Sequence, residues 1–290
     1  MNRIFALVGA LLLAFISVSS ACTAAPAGFI HFTLEPRRGG EKIHADFRSD
    51  NGPRDDHDWS TEFRPAELSG LDLAGFRGAG SRPLRFALIR EAGRLDCSGH
   101  GGESSAAGNC SFTADPAFTQ LLESRGIGRP TRDQAFGLMA VNARRELIDA
   151  IAAAHYPAPS IEDLMGLSAL EVNGAYITAM ARAGYRPKTI DALIQFKALD
   201  ITPQWIAGFV RIGYANLPAD ELVQIKALDI TPEFIAGYDR IGYRHLPVDK
   251  LVELKALDIT PDFVRRVAGD GAPMPPIEKL MTLKTFGERR

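Results

Sequence analysis

The seven residues KALDITP stand at 197–203, again at 226–232 and again at 255–261. An identical phrase returning at one fixed interval leaves few folds open. It marks stacked supersecondary units, each too small to bury its own apolar face. Aligned without gaps, the units begin near Arg132, Ile161, Ile190, Ala219, Val248 and Ile277, the last of them truncated. Within a unit, Leu193, Phe196 and Leu199 fall at i, i+3 and i+6 and share one helical face. Leu164, Leu167 and Leu170 hold the same places earlier. Leu222, Ile225 and Leu228, then Leu251, Leu254 and Leu257, then Leu280, Leu283 and Phe286 hold them later.

The phrase itself reads as a turn between two short helices. Asp200 closes the first helix and Ile201 is expected to be buried. Thr202 is a good N-cap, because its hydroxyl can accept from an orphan backbone N–H. Pro203 suits the first helical position, where no N–H is needed. The second helix then runs to about Ile212 and buries Trp205, Ile206 and Phe209. Gly213 is a left-handed stop, with Gly184, Gly242 and Gly271 in register. Arg182, Arg211 and Arg240 precede three of these glycines, favourable at a helix C-terminus. Tyr156, Tyr185, Tyr214 and Tyr243 follow the stops and are expected to pack on the neighbouring unit. Residues 116–290 therefore predict an αα-solenoid of about five 29-residue helix-turn-helix repeats. Its ends are irregular at AFGLMAVNARRELIDAIAAAHY and GDGAPMPP, as capping units are.

Residues 28–115 follow another period. Ile30, Phe32 and Leu34 alternate, as do Ile43, Ala45 and Phe47, and Leu84, Phe86 and Leu88. Period two with aromatic and β-branched residues predicts strands. RLDCSGHGGESSAAGNCSFTAD then reads as two short strands around a Gly/Ser-rich loop that contains His100. The fold class is α+β: a small antiparallel β domain of five or six strands, followed by the helical repeats.

The first 27 residues have the plan of a secretory signal peptide: Arg3, an apolar run from Ile4 to Ile16, then small residues. That run is shorter than the roughly 20 residues a spanning helix needs. Cleavage is expected after Ala21 or Ala27. SSAC, ending at Cys22, is similar to a bacterial lipobox but has Ser19 where an aliphatic residue belongs. Cys22 is therefore either discarded with the signal or is a lipidation site that tethers the chain to a membrane. The chain is read as exported, periplasmic or secreted, with an outer-membrane lipoprotein as the second reading. Cys97 and Cys110 remain, and an even count in an exported chain suggests a disulfide. A metal or catalytic role is the alternative, but no His/Cys partner stands at ligand spacing.

Motifs for chemistry are scarce. The chain has no His-x-x-x-His pair, no phosphate-binding Gly-rich loop with its Lys-Ser/Thr and no Gly-x-Ser-x-Gly elbow. Asp55, Asp56, His57 and Asp58 are consecutive and cannot all converge on one ion, so they read as a solvated loop. The net charge is −2, and without a basic block nucleic-acid binding is not expected. One periodic feature stands out: Lys197, Lys226, Lys255 and Lys284 are in register. Each either pairs with an Asp three residues on, at Asp200, Asp229 and Asp258, or joins a ladder for an acidic partner.

LVQIKALDITPEFI (222–235) and LVELKALDITPDFV (251–264) resemble helical repeats of uncharacterised exported bacterial proteins. Similar repeats lie behind the peptidase domain of BlaR1-type membrane sensors. LRFALIREAGRLDCSGHGGESSAAGNCSFTADPAF (84–118) resembles the β region before such repeats. The His-Glu-x-x-His zinc motif of the sensor peptidases is missing, so their catalysis does not carry over. The resemblance implies an envelope protein that binds other proteins, in envelope sensing. The expected function is thus a non-enzymatic interaction scaffold without cofactors. The alternative is a small-molecule or glycan-binding periplasmic protein acting through the β domain, where Trp59 is the only tryptophan.

Overall fold

The computed structural model describes residues 30–37, 39, 41–49, 58–76, 80–102, 104–269 and 273–287. The expected signal peptide with Cys22, the residues Asp55, Asp56 and His57, and Gly271 lie outside them.

Alternation of buried and exposed side chains builds one seven-stranded antiparallel sheet. Its strands are β1 (Ile30–Pro36), β2 (Ile43–Ser49), β3 (Asp58–Phe63), β4 (Leu68–Ser69), β5 (Arg82–Arg90), β6 (Gly93–Gly102) and β7 (Ser105–Ala114). The order is β3-β2-β1-β7-β6-β5-β4, two meanders joined where β1 pairs with β7. The sheet curls into a half-barrel. Arg90 at the end of β5 reaches the rings of Trp59 and Phe63 on β3, nearly the full width of the sheet away.

The Gly/Ser-rich loop expected between Cys97 and Cys110 is instead the long β6–β7 hairpin, and His100 lies within β6, opposite Ala107. The glycines have a different task. Gly99 and Gly108 face each other, and a Cβ on Gly99 would lie 2.1 Å from the Ala107 carbonyl oxygen. A Cβ on Gly108 would lie 2.3 Å from the Ser98 oxygen. Glycine here marks close backbone approach, not a break in the strand. Cys97 and Cys110 are also directly opposite, buried, and joined by a disulfide with Cα atoms 4.0 Å apart.

At Asp115 the chain changes from strand to helix, and the Asp115 carboxylate accepts the Phe118 amide at 2.6 Å to start α1 (Pro116–Ser124). Helices then alternate. One series is α2 (Arg132–Ala140), α4 (Ile161–Ala169), α6 (Ile190–Ala198), α8 (Ala219–Ala227), α10 (Val248–Ala256) and α12 (Ile277–Gly287). The other is α3 (Arg145–Ala153), α5 (Gly174–Arg182), α7 (Pro203–Arg211), α9 (Pro232–Asp239) and α11 (Pro261–Ala268). The first series begins at the residues where the aligned repeats begin. Along it α2 touches α4, α4 touches α6, α6 touches α8 and α8 touches α10.

The turn inside each unit has one hydrogen-bond pattern. Ile201 N donates to Phe196 O at 2.8 Å and Asp200 N to Lys197 O at 3.1 Å, with Asp200 left-handed at φ 52°. This is a Schellman closure with Asp where Gly is usual. Asp229 and Asp258 repeat it at φ 51° and 50°. Thr202, Thr231 and Thr260 then cap the second helix by accepting amides three residues on. Gly184, Gly213 and Gly242 stop that helix with positive φ.

The buried core does not stop at residue 115. One cluster runs from Ile30 on β1 to Leu193 on α6, so the sheet and the first helices share it. A second gathers Met180, Phe196, Ile201, Ile206 and Leu222, and a third runs from Phe209 to Leu280.

Candidate functional surfaces

Lys197, Lys226 and Lys255 do not turn to the aspartates three residues on, and Lys284 has Gly287 at that place. Each ammonium sits over an aromatic ring on the second helix of the preceding unit, always at the same offset along the chain. Lys197 Nζ lies 5.2 Å from the Tyr176 ring centre, Lys226 5.1 Å from Trp205, Lys255 5.2 Å from Phe234 and Lys284 5.4 Å from Phe263. Lys255 Nζ also donates to Asp229 O at 2.9 Å. The ladder is therefore a row of inter-unit clasps, each half-buried, and about 0.5–2 kcal/mol is the usual worth of such a contact. The i, i+3 reading fails because Asp200, Asp229 and Asp258 have left the helix for the left-handed turn.

Other clasps recur at fixed offsets. Tyr214 OH donates to Leu246 O at 2.7 Å, Tyr243 OH donates to Pro275 O, and Tyr185 OH accepts from Leu217 N at 3.3 Å, all 32 residues apart. Tyr176 OH donates to Ile201 O at 2.8 Å. Burial pushes the Tyr176 hydroxyl up to about 12, helped by Asp200 and Tyr156, and the Tyr214 hydroxyl up to about 12, helped by Asp239. Pro232 and Pro261 pack where Gly208 and Gly237 leave room: a Cβ on Gly237 would lie 3.0 Å from Pro261 Cγ.

The same groups are exposed at successive turns: Ala198 and Asp200, Ala227 and Asp229, Ala256 and Asp258. Where the turns of the first units approach β3 and β5 there is a cleft of about 720 Å³. Trp59, Thr61 and Arg90 form one wall; the α2–α3 and α4–α5 turns form the other, with Asn142, Arg144, Leu147, Ser168 and Glu171. Trp59 stacks on Phe47 at 4.9 Å and packs its edge against Phe136. Arg90 lies 5.3 Å from the Trp59 ring centre, and its Nη1 donates to Met139 O at 2.8 Å and Ala140 O at 2.5 Å, the last carbonyls of α2. Burial pulls the Arg90 guanidinium down to about 10, with Glu67 opposing the shift and Arg144 adding to it.

On the outer face of the sheet His44 Nε2 lies 3.3 Å from Asp46 and 3.5 Å from Ser60 Oγ. One nitrogen meets both, so the three do not form a nucleophile–base–carboxylate relay. Among the described residues no group of three His, Cys, Asp or Glu side chains is placed to hold a metal ion, and no helix is long and apolar enough to cross a membrane. Cys97 and Cys110 are brought together; Asp58 stands at the head of β3, ion-paired with Arg48 at 3.0 Å.

Sequence reading missed Arg90 and Arg144. Arg90 carries no signal in a strand pattern. Arg144 does carry one, because it occupies the register place of Asn173, Thr202, Thr231 and Thr260, all helix N-caps.

Comparison with protein-family models, with curated proteins and with solved structures finds no match to this chain.

Proposed function

We propose that this is an exported, non-enzymatic envelope protein that works as a protein-binding scaffold. Its helical part is an αα-solenoid whose turn ridge presents the same groups to a partner once per unit. The observation that carries this reading is the set of clasps at fixed offsets: Lys to ring, Tyr to loop carbonyl and Pro to Gly. They hold unit to unit and leave the side chains of the Ala/Asp row exposed, with only the Asp229 carbonyl taken by a clasp lysine. The lysines act in this scaffold through the rings they cover, so any acidic partner meets half-buried ammonium groups rather than a free basic stripe. Membrane attachment enters only through lipidation of Cys22.

The test is a photo-crosslinking residue placed singly at Ala198, Ala227 and Ala256 of the full chain in envelope fractions. One and the same protein crosslinked from at least two of these register positions supports the scaffold. Unrelated products from each position, or none, would sink it.

A further inference from the structure

The cleft exists because two units depart from the repeat. In the later units the space beneath the turn is filled by a lysine over a ring: 197 over 176, 226 over 205, 255 over 234, 284 over 263. One unit earlier, the same two places hold Ser168 and Leu147, and both line the cleft. A short hydroxyl and an aliphatic side chain replace an ammonium and a ring, and the volume stays open.

The second departure is at the mouth. The N-cap place of the second helix holds Asn173, Thr202, Thr231 and Thr260, each accepting an amide with its side chain. In α3 that place holds Arg144, which makes no such bond. Replacing a capping residue by one that cannot cap costs about 1 kcal/mol. Glu91 recovers part of this by accepting the Arg145 amide at 2.9 Å. With the Asn142 amide turned so that its oxygen faces the exposed Arg144 guanidinium, the orientation its surroundings favour, that oxygen accepts from Nε at 3.2 Å and Nη2 at 2.8 Å.

Arg90 stands on the opposite wall. Two carbonyls take its Nη1, and among the described residues neither Arg90 nor Arg144 has a carboxylate within 4 Å, although Glu67 acts on Arg90 electrostatically from farther off. Glu146 and Glu171 also line the cleft, at its exposed rim. The apolar part of the lining comes from Trp59 and Val141, both half-buried, and from Leu147 and Val172, which are almost wholly buried. A cavity of about 720 Å³ falls within the size range of ligand sites, and its lining is more polar than apolar, with Arg90, Arg144 and Asn142 beside the Trp59 ring. Guanidinium is the side chain best suited to gripping a carboxylate through two parallel hydrogen bonds.

We propose that the cleft between Trp59, Arg90 and Arg144 binds a small organic carboxylate with an apolar body. The carboxylate lies between the two guanidinium groups and the apolar part against Trp59 and Val141. This site does not depend on whether the ridge holds a protein partner.

The chain has two tryptophans, one in the cleft and one in the repeat, so two indole N–H signals report site and control in one spectrum. Benzoate is the probe and benzamide its neutral counterpart. Benzoate is expected to shift the Trp59 signal saturably and leave Trp205 in place, with benzamide at least tenfold weaker. Arg144→Thr restores the cap of the other units, so it is expected to fold at least as stably while losing benzoate affinity tenfold or more. The double change L147F/S168K writes the repeat's own pair back into the cleft and is expected to abolish the shift. Benzamide as effective as benzoate, no shift of Trp59 with benzoate, or full affinity in Arg144→Thr would each overturn the site.

Discussion

The sheet and the helical units solve the same problem by opposite means. In the sheet, order comes from contacts between residues far apart in the chain: β1 pairs with β7, as at Ile30 and Cys110. One covalent bridge and one pair of facing glycines fix the register of its longest hairpin. In the units, order comes from short offsets that recur unit after unit, one from ring to lysine and another from tyrosine to loop. Loss of one element should therefore disturb the sheet as a whole, and should disturb the units only near the change.

The largest effect is expected from Gly99→Val. Its side chain would enter the space of the Ala107 carbonyl, which is backbone and cannot swing aside. Overpacking of this kind costs about 3 kcal/mol or more. The Trp59 indole signal in a urea titration should show the sheet melting early, while ellipticity from the distal helices melts near its original midpoint. A single shared transition would mean that the two regions do not differ as argued.

Next is the double change C97A/C110A. A closed loop of this length is worth about 3 kcal/mol in the chain-entropy account, and both sulfurs are buried among apolar neighbours. The urea midpoint reported by Trp59 should fall accordingly, and an unmoved midpoint would show that the strands pin their own register.

Alkali should reverse the order of failure. All six tyrosines lie between residues 156 and 243, in the helical part. Tyr176 and Tyr214 ionise near 12 when folded, against an ordinary value of 10. A group whose folded value is raised contributes stability that is intact below its unfolded value and is lost as pH climbs through the folded one. Helical ellipticity should hold up to about pH 10 and fall between 10 and 12, ahead of the cross-strand amide protection of the sheet. Loss of the sheet first would break the comparison.

Smaller effects sharpen it. Thr231→Ala removes the cap of α9 and should cost about 1 kcal/mol, read by amide exchange confined to α9 and its neighbours. Asp229→Gly relieves a left-handed aspartate next to a helix C-terminus, and should add roughly 0.5 kcal/mol of stability. A loss instead would give the Asp229 carboxylate a task on the ridge.

Much of the local structure was legible in the sequence. The repeat alignment placed the start of every helix in the α2, α4 … α12 series through the apolar i, i+3 pattern, and the Thr-Pro pair placed the starts of α7, α9 and α11, because both report backbone state within one turn. Alternation placed the inner faces of β1, β2 and β5 for the same reason. The hairpin was misread because glycine has two meanings: freedom in a loop, or absence of a side chain where strands close up. Only the facing of Gly99 and Gly108 tells them apart. The cleft was legible in part. Arg144 breaks a column of caps, and Ser168 and Leu147 break a column of lysines and rings, but nothing in the sequence says that Trp59 and Arg90 stand opposite.

By itself, then, the sequence determined the period, the helix boundaries, the inward strand faces and the identity of the cysteine pair. Each of these is set by hydrogen bonds and burial within a few residues, or by parity. Tertiary structure decided where the lysines go, how far the sheet curls and that one core joins β1 to α6. It also decided that two guanidinium groups and an indole share one cavity. Those outcomes depend on the offset at which units stack and on the twist accumulated over seven strands. Both are sums over many weak contacts that no local pattern records.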